Sequence, residues 1–86
     1  MSKKNYIIEL NNIKSIEDLL QNIKQCTKSV MLVGEGLYLN LDSSLSQIFA
    51  KAILKENQPN PYYLEVFDEK DNCLLNSYIA KQGILV

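Results

Sequence analysis

Hydrophobic and polar positions along the chain switch between two spacings, and these switches divide the chain into seven segments. Strand side chains alternate between two faces, so alternating, β-branched or aromatic runs indicate strands. Four such runs predict strands at positions 5–10, 30–33, 37–41 and 62–67. Apolar residues three and four positions apart form one face of a helix. This spacing predicts helices that begin near Ser15, Ser43 and Asp71, so the order is β-α-β-β-α-β-α.

Four strands and three helices, each helix apolar on one side, predict an α+β fold. We expect a two-layer, open-faced sandwich in which three helices cover one face of a four-stranded antiparallel sheet. Gly34-Glu35-Gly36 separates the second and third strands, which indicates a tight hairpin. The main alternative is a six-element, ferredoxin-like split βαβ arrangement, which lacks the third helix. Neither a linker nor a repeat interrupts the 86 residues, so we expect a single domain over 1–86.

The first helix has a capping signal and a clear apolar face. Ser15-Ile16-Glu17-Asp18 fits the capping pattern in which a serine precedes an acid by three positions. One stripe of the helix carries Ile16, Leu19, Leu20, Ile23 and Cys26. We expect this stripe to face the core. By the same reasoning Asp71 should cap the third helix.

The second helix has an apolar stripe that is wide for its length. The stripe consists of Leu45, Ile48, Phe49, Ala52 and Ile53. Most of a stripe at this spacing normally belongs to the core, so we expect most of these side chains to be buried. Its width leaves room for one or two exposed members that contact a protein partner. The candidates for partner binding are Ser44, Leu45, Ile48 and Phe49.

Composition argues against most catalytic chemistry. The nine basic residues are all lysines, histidine is absent, and the net charge is -1. Without histidine the chain lacks the usual general base and the commonest metal ligand. Without arginine it lacks bidentate recognition of phosphate, and the charge gives no reason to expect nucleic acid or a membrane as partner. We therefore predict a protein that is not an enzyme and uses no metal or cofactor.

The two cysteines are far apart in the sequence. Cys26 and Cys73 form no CxxC pair, and no signal peptide or long apolar run accompanies them. We expect a cytoplasmic protein with reduced thiols, and both cysteines to be small buried side chains.

The order of elements, with a strand that runs into Asn40-Leu41-Asp42-Ser43, resembles that of the histidine-containing phosphocarrier protein (HPr) family of the bacterial sugar phosphotransferase system. The resemblance covers the whole chain in length and order, and it implies the open-faced sandwich. In that family a histidine at the start of the first helix carries the phosphate. Here Lys14 falls near the histidine position, with Ser15 after it, so these two residues mark a degenerate active-site position. Since a protonated lysine cannot take up a phosphoryl group, the phosphocarrier reaction should be absent.

The resemblance also implies a regulatory role for Ser43. In relatives from Gram-positive bacteria a serine kinase phosphorylates the corresponding serine, and the product acts in carbon catabolite control. The expected function is therefore non-catalytic binding of protein partners in sugar transport or carbon-catabolite regulation, with a serine kinase or a transcriptional regulator as candidate partners. Two alternatives remain open. Ser43 fits an ordinary helix cap, and Asp42 beside it would repel a phosphate. The chain also fits a small-molecule-binding or structural module that shares only its fold with HPr.

Overall fold

The computed structural model describes residues 5–84, and the seven predicted elements occur there in the predicted order. The strands are β1 (Tyr6–Glu9), β2 (Val30–Gly34), β3 (Leu37–Asn40) and β4 (Tyr63–Val66). The helices are α1 (Ile16–Lys24), α2 (Ser44–Ile53) and α3 (Glu69–Ile84). The chain is an α+β open-faced sandwich, as its hydrophobic spacing predicts.

All strand pairs in the sheet are antiparallel, in the order β1-β4-β2-β3. The connection through α1 joins β1 to β2, and the connection through α2 joins β3 to β4. In both cases one other strand lies between the two connected strands. This strand order places β1 and β3 at the two edges of the sheet, while α3 adds a seventh element that the ferredoxin-like alternative lacks.

The helices cover one face of the sheet, and alternate strand residues are buried under them. The residues of this face include Ile8, Val30, Leu32, Leu64 and Val66. The opposite face is open, with Ile7 and Tyr38 exposed. There Glu65 accepts hydrogen bonds from the Tyr38 hydroxyl at 3.1 Å and from Asn5 Nδ2 at 2.8 Å. An antiparallel sheet whose strands alternate apolar and polar side chains usually has one buried face and one solvent-exposed face.

Helix α1 is the central helix of the layer, and it packs against both α2 and α3. Its buried residues are Ile16, Leu19, Leu20 and Ile23, as the sequence predicts. Ser15 is its N-cap, and the Ser15 side chain accepts from Asp18 N–H at 3.2 Å. Helix α3 contacts β1 and β4, which leaves α2 on the side of the layer toward β3.

The β2–β3 hairpin depends on its two glycines. Gly36 has a φ of +64°, a conformation that favours glycine. Gly34 lies directly under the aromatic ring of Tyr62, where a side chain would overlap the ring. Gly36 thus permits the tight turn, and Gly34 permits the loop before β4 to lie close to the hairpin.

The prediction that Asp71 caps α3 is wrong. The helix begins two residues earlier, and Asp68 Oδ2 accepts from the N–H groups of Lys70 and Asp71 at 3.0 and 3.2 Å. Asp71 is instead buried, and its carboxylate accepts from Thr27 N–H at 2.9 Å and from Lys28 N–H at 3.0 Å. An aspartate near a helix start has two possible uses, and only tertiary packing distinguishes them.

The prediction that both cysteines are buried is wrong for Cys73, which is exposed. Leu75 provides the buried contact of α3, and Cys73, two residues earlier, points elsewhere. Cys26 is half-buried and packs against the core. Burial, together with the nearby carboxylates of Asp71, Asp42 and Asp68, raises the pKa of the Cys26 thiol to about 11.

Candidate partner-binding surface on α2

The start of α2 is capped by Ser43, at the position where the sequence predicts the helix to begin. The Ser43 side chain accepts from Ser46 N–H at 3.5 Å, a long hydrogen bond, and its backbone is extended. Asp42 does not cap the helix, because its carboxylate accepts from the Ser29 hydroxyl at 2.6 Å. Both Ser43 and Ser44 are exposed.

The prediction that most of the α2 stripe is buried is wrong. Leu45, Ile48 and Phe49 are 75, 64 and 47 % exposed, and Ala52 is exposed as well. The only buried residue of α2 is Ala50, while Ile53 is half-buried. Three of the four residues proposed for partner binding therefore form an exposed apolar surface, here called the α2 patch (Leu45, Ile48 and Phe49).

The orientation of α2 follows from the few contacts that hold it. Ala50 is completely buried, and its small side chain lets the helix lie close to α1. Gln47 Nε2 donates to the Leu41 carbonyl at 2.8 Å and ties the first half of the helix to the end of β3. At the other end Leu54, directly after the helix, is buried. With Ala50 and Leu54 inside, the larger apolar residues of the stripe lie on the outer side.

A shallow apolar groove separates α2 from β3. Leu37 and Leu39 of β3 line one side, and Leu45, Ser46 and Phe49 of α2 line the other, around a volume of about 340 Å³. None of these five side chains carries a charge. The groove extends the α2 patch to the edge of the sheet.

The two residues that the HPr resemblance marks as a degenerate active-site position lie at the start of α1. Lys14 is exposed, and Ser15 serves as the N-cap with its carbonyl accepting from the Tyr78 hydroxyl at 3.2 Å. The N–H of Ile16 donates to Glu56 Oε2 at 2.9 Å. A helix N-terminus is a natural anion site, and here a carboxylate of the chain itself is bound there. Sequence reasoning missed Glu56, because a loop residue forty positions away gives no local signal.

The start of α1 and Ser43 lie near opposite ends of α2. Glu17 in the first turn of α1 forms an ion pair with Lys51 near the end of α2, at 3.2 Å. Ser43 lies at the other end, next to Asp42 and its hydrogen bond to Ser29. The α2 patch thus extends from the Ser43 end of the helix along its outer side.

A second cleft lies at the other edge of the sheet, between the end of β1 and the loop before β4. It has a volume of about 300 Å³ and is lined by Glu9, Asn11, Asn60, Pro61, Tyr62 and Tyr63. Asn60 organises this loop, since Nδ2 donates to the carbonyls of Leu10 at 2.9 Å and Lys55 at 3.0 Å. The cleft is open and is lined by both polar and aromatic side chains, unlike the apolar groove beside α2.

Two other features are absent from residues 5–84. This part of the chain has no group of three or more cysteine, aspartate or glutamate side chains that could hold a metal ion. Nor does any described helix combine the length and apolar character needed to cross a membrane.

Comparison of the chain with protein-family models, with curated proteins and with solved structures finds no match.

Proposed function

We propose that this protein is a non-catalytic domain that binds protein partners through the α2 patch. The exposure of Leu45, Ile48 and Phe49 carries the proposal. Large apolar side chains that lie together on the surface of a small domain usually mark an interaction site. Their position supports the same conclusion, because the patch continues into an apolar groove.

We further propose that the domain is HPr-like and acts in sugar transport or carbon-catabolite regulation. The resemblance in element order and in the segment Asn40–Ser43 supports this role. The carboxylate of Glu56 at the start of α1 supports the absence of phosphocarrier chemistry, since it would compete with a phosphate for Ile16 N–H. Ser43 is the candidate phosphoacceptor, because it is exposed and begins a helix whose free N–H groups favour a phosphate.

Two incubations test the regulatory part of the proposal. The serine kinase that modifies HPr proteins should add one phosphate to the chain and none to a Ser43→Ala variant, as measured by mass spectrometry. Enzyme I of the phosphotransferase system with phosphoenolpyruvate should add none to either. An unmodified chain after kinase treatment would reduce Ser43 to a cap, and transfer from enzyme I would contradict the loss of carrier chemistry.

A binding measurement tests the docking part. The kinase and a catabolite-control regulator, the two candidate partners, are titrated against the wild type and against Leu45→Lys by calorimetry. A charge within the patch should weaken binding at least tenfold, while Ile7→Lys should not. Ile7 is a matched control, because it is an exposed apolar residue on the open face of the sheet. Equal effects of the two variants would rule out the α2 patch as the docking site.

Small-molecule binding is the second candidate function. The cleft lined by Tyr62 and Tyr63, with Asn11 and Glu9 beside them, supports it. Aromatic faces with amide and carboxylate groups can hold a small polar ligand. A screen of sugars by ligand-observed NMR, with Tyr63→Ala as the comparison, tests this function. Ligand signals that are unchanged by the protein would remove it.

A further inference from the structure

The outer edge of β3 has backbone groups available for pairing. Leu41 N–H donates to the Val30 carbonyl at 2.9 Å, so this facing pair is hydrogen-bonded. Facing pairs in an antiparallel ladder alternate between bonded and non-bonded. Leu39 therefore also directs its backbone groups toward β2, whereas Tyr38 and Asn40 direct theirs away. Among the described strands none lies on that side, because β3 ends the sheet.

The β3 edge lacks the features that normally prevent pairing with another chain. Natural edge strands carry charged residues, prolines or bulges for this purpose. Positions 36–41 contain no charged residue and no proline, and β3 pairs with β2 in an unbroken register. The opposite edge differs, since β1 ends in the exposed Glu9. The contrast indicates that the β3 edge is suited to contact with another strand.

The α2 patch lies beside the same edge and adds apolar area to it. Taking roughly 200 Å² for a fully exposed residue of this size, its three exposed side chains leave on the order of 350 Å² of surface. A stable protein–protein interface buries about 800 Å² on each partner, so the patch alone is too small. The β3 edge and the groove residues Leu37 and Leu39 extend the surface toward this size.

The combined surface is self-complementary. Positions 44–50 of α2 and 37–40 of β3 contain no charged residue, so these two stretches of two copies would meet without repulsion between like charges. The exposed Asp42 lies between the two stretches. Tyr38 and Asn40 each offer a donor and an acceptor to an antiparallel neighbour. The Asn40 carbonyl already accepts from Ser43 N–H at 3.2 Å, and its second lone pair remains for another hydrogen bond.

We propose that a second copy of this chain occupies the surface. The two β3 strands pair antiparallel about a two-fold axis at Leu39, so that Tyr38 of one copy faces Asn40 of the other. The two sheets then continue into one, and the Leu39 side chains meet on the helix side beside both α2 patches. The interface is isologous, as expected for a two-fold dimer. This inference rests on the proposed function in one respect, because it assigns an occupant to the same α2 patch.

Analytical ultracentrifugation of the full chain between about 10 μM and 1 mM tests the dimer. The mass should rise with concentration from 9.8 kDa toward twice that value. In the dimer, amide hydrogen exchange of Tyr38 and Asn40 should slow at least tenfold relative to dilute protein, because both N–H groups become hydrogen-bonded. A mass of one chain at every concentration would overturn the proposal, as would a dimer in which these two amides exchange at the same rate as in the monomer.

Four variants locate the interface. Tyr38→Pro removes the outward N–H and is compatible with an edge strand, so it should weaken the dimer at least tenfold, whereas Tyr38→Thr keeps the N–H and should not. Leu45→Lys should weaken the dimer to a similar degree, and Ile7→Lys should leave it unchanged. A dimer that survives both Tyr38→Pro and Leu45→Lys uses another surface, which contradicts the proposal. The exchange measurement on the wild type decides the matter if Tyr38→Pro does not fold.

The outcomes also separate this inference from the proposed function. If the wild type stays monomeric while Leu45→Lys abolishes binding to a regulator, the dimer is wrong and the docking role stands. If the dimer forms through β3 and no partner binding responds to Leu45→Lys, the docking role fails and the dimer stands.

Discussion

Helices α1 and α2 have the same kind of apolar spacing and opposite fates. In α1 the four apolar residues of the stripe that lie within the helix are buried, with Leu19 completely inaccessible. In α2 the largest apolar residues point outward, and Leu45 is 75 % exposed. The reason is position in the layer, since α1 lies between α2 and α3 whereas α2 lies at the rim. Spacing therefore identifies an apolar helical face, but the neighbours of the helix decide whether that face is core or surface.

Core substitutions should separate the two helices most strongly. Leu19→Ala removes a fully buried side chain and should lower the free energy of unfolding by about 3 kcal/mol. Phe49→Ala removes a larger side chain from α2 and should cost less than about 1 kcal/mol, because nearly half of Phe49 is exposed. Urea denaturation monitored by circular dichroism measures both values. Equal costs would mean that α2 is packed as tightly as α1.

Two aspartates extend the comparison to the loops beside the helices. Asp71 is buried and binds the backbone N–H groups of Thr27 and Lys28 just after α1. Asp71→Ala would leave these donors without their partner, which should cost about 2 kcal/mol of stability. Asp42 is exposed and its carboxylate binds the Ser29 hydroxyl beside α2, so Asp42→Ala should cost about 0.5 kcal/mol or less.

Thermal melts of both aspartate variants at neutral pH would measure this difference. A cost for Asp71→Ala no larger than that for Asp42→Ala would mean that the loop after α1 does not depend on the buried carboxylate.

The fold was predictable from the sequence because each element carries a local signal. The spacing of Ile16, Leu19 and Ile23 and the alternation around Tyr38 determine element type, and Gly36 indicates the hairpin. The N-cap roles of Ser15 and Ser43 are also local, and both were predictable.

The missed features all depend on contacts between distant segments. Asp71 is buried because its carboxylate binds the loop after α1, and Glu56 is held in place by its hydrogen bond to the start of α1. The exposure of Leu45 follows from the fact that α2 turns Ala50 toward the interior, which its apolar spacing does not reveal. A local sequence pattern carries no information on which distant segments come into contact.

The two serine caps offer a smaller version of the comparison. Ser15 accepts its hydrogen bond at 3.2 Å and starts the well-packed α1, so Ser15→Ala should cost about 1 kcal/mol. Ser43 accepts at 3.5 Å and starts the weakly packed α2, so Ser43→Ala should cost about 0.5 kcal/mol. Urea denaturation of both variants, with Ser44→Ala as a control inside the helix, tests the order. A larger cost for Ser43→Ala would reverse the comparison.

The smallest effect concerns the thiol that follows α1. Because the folded-state pKa of Cys26 is raised from 9.0 to about 11, the unfolded chain loses this proton at lower pH than the folded chain. The contribution to stability is therefore absent below pH 9 and becomes unfavourable as the pH rises from 9 toward 11.

In a Cys73→Ser background, a disulfide reagent at pH 8 should label Cys26 far more slowly in native buffer than in urea, since the thiolate is the reactive form. Cys73 is exposed, so it should be labelled at similar rates in both conditions in a Cys26→Ser background. Rapid labelling of Cys26 in native buffer would show that the segment after α1 opens readily. The tight packing of α1 would then stop before Cys26.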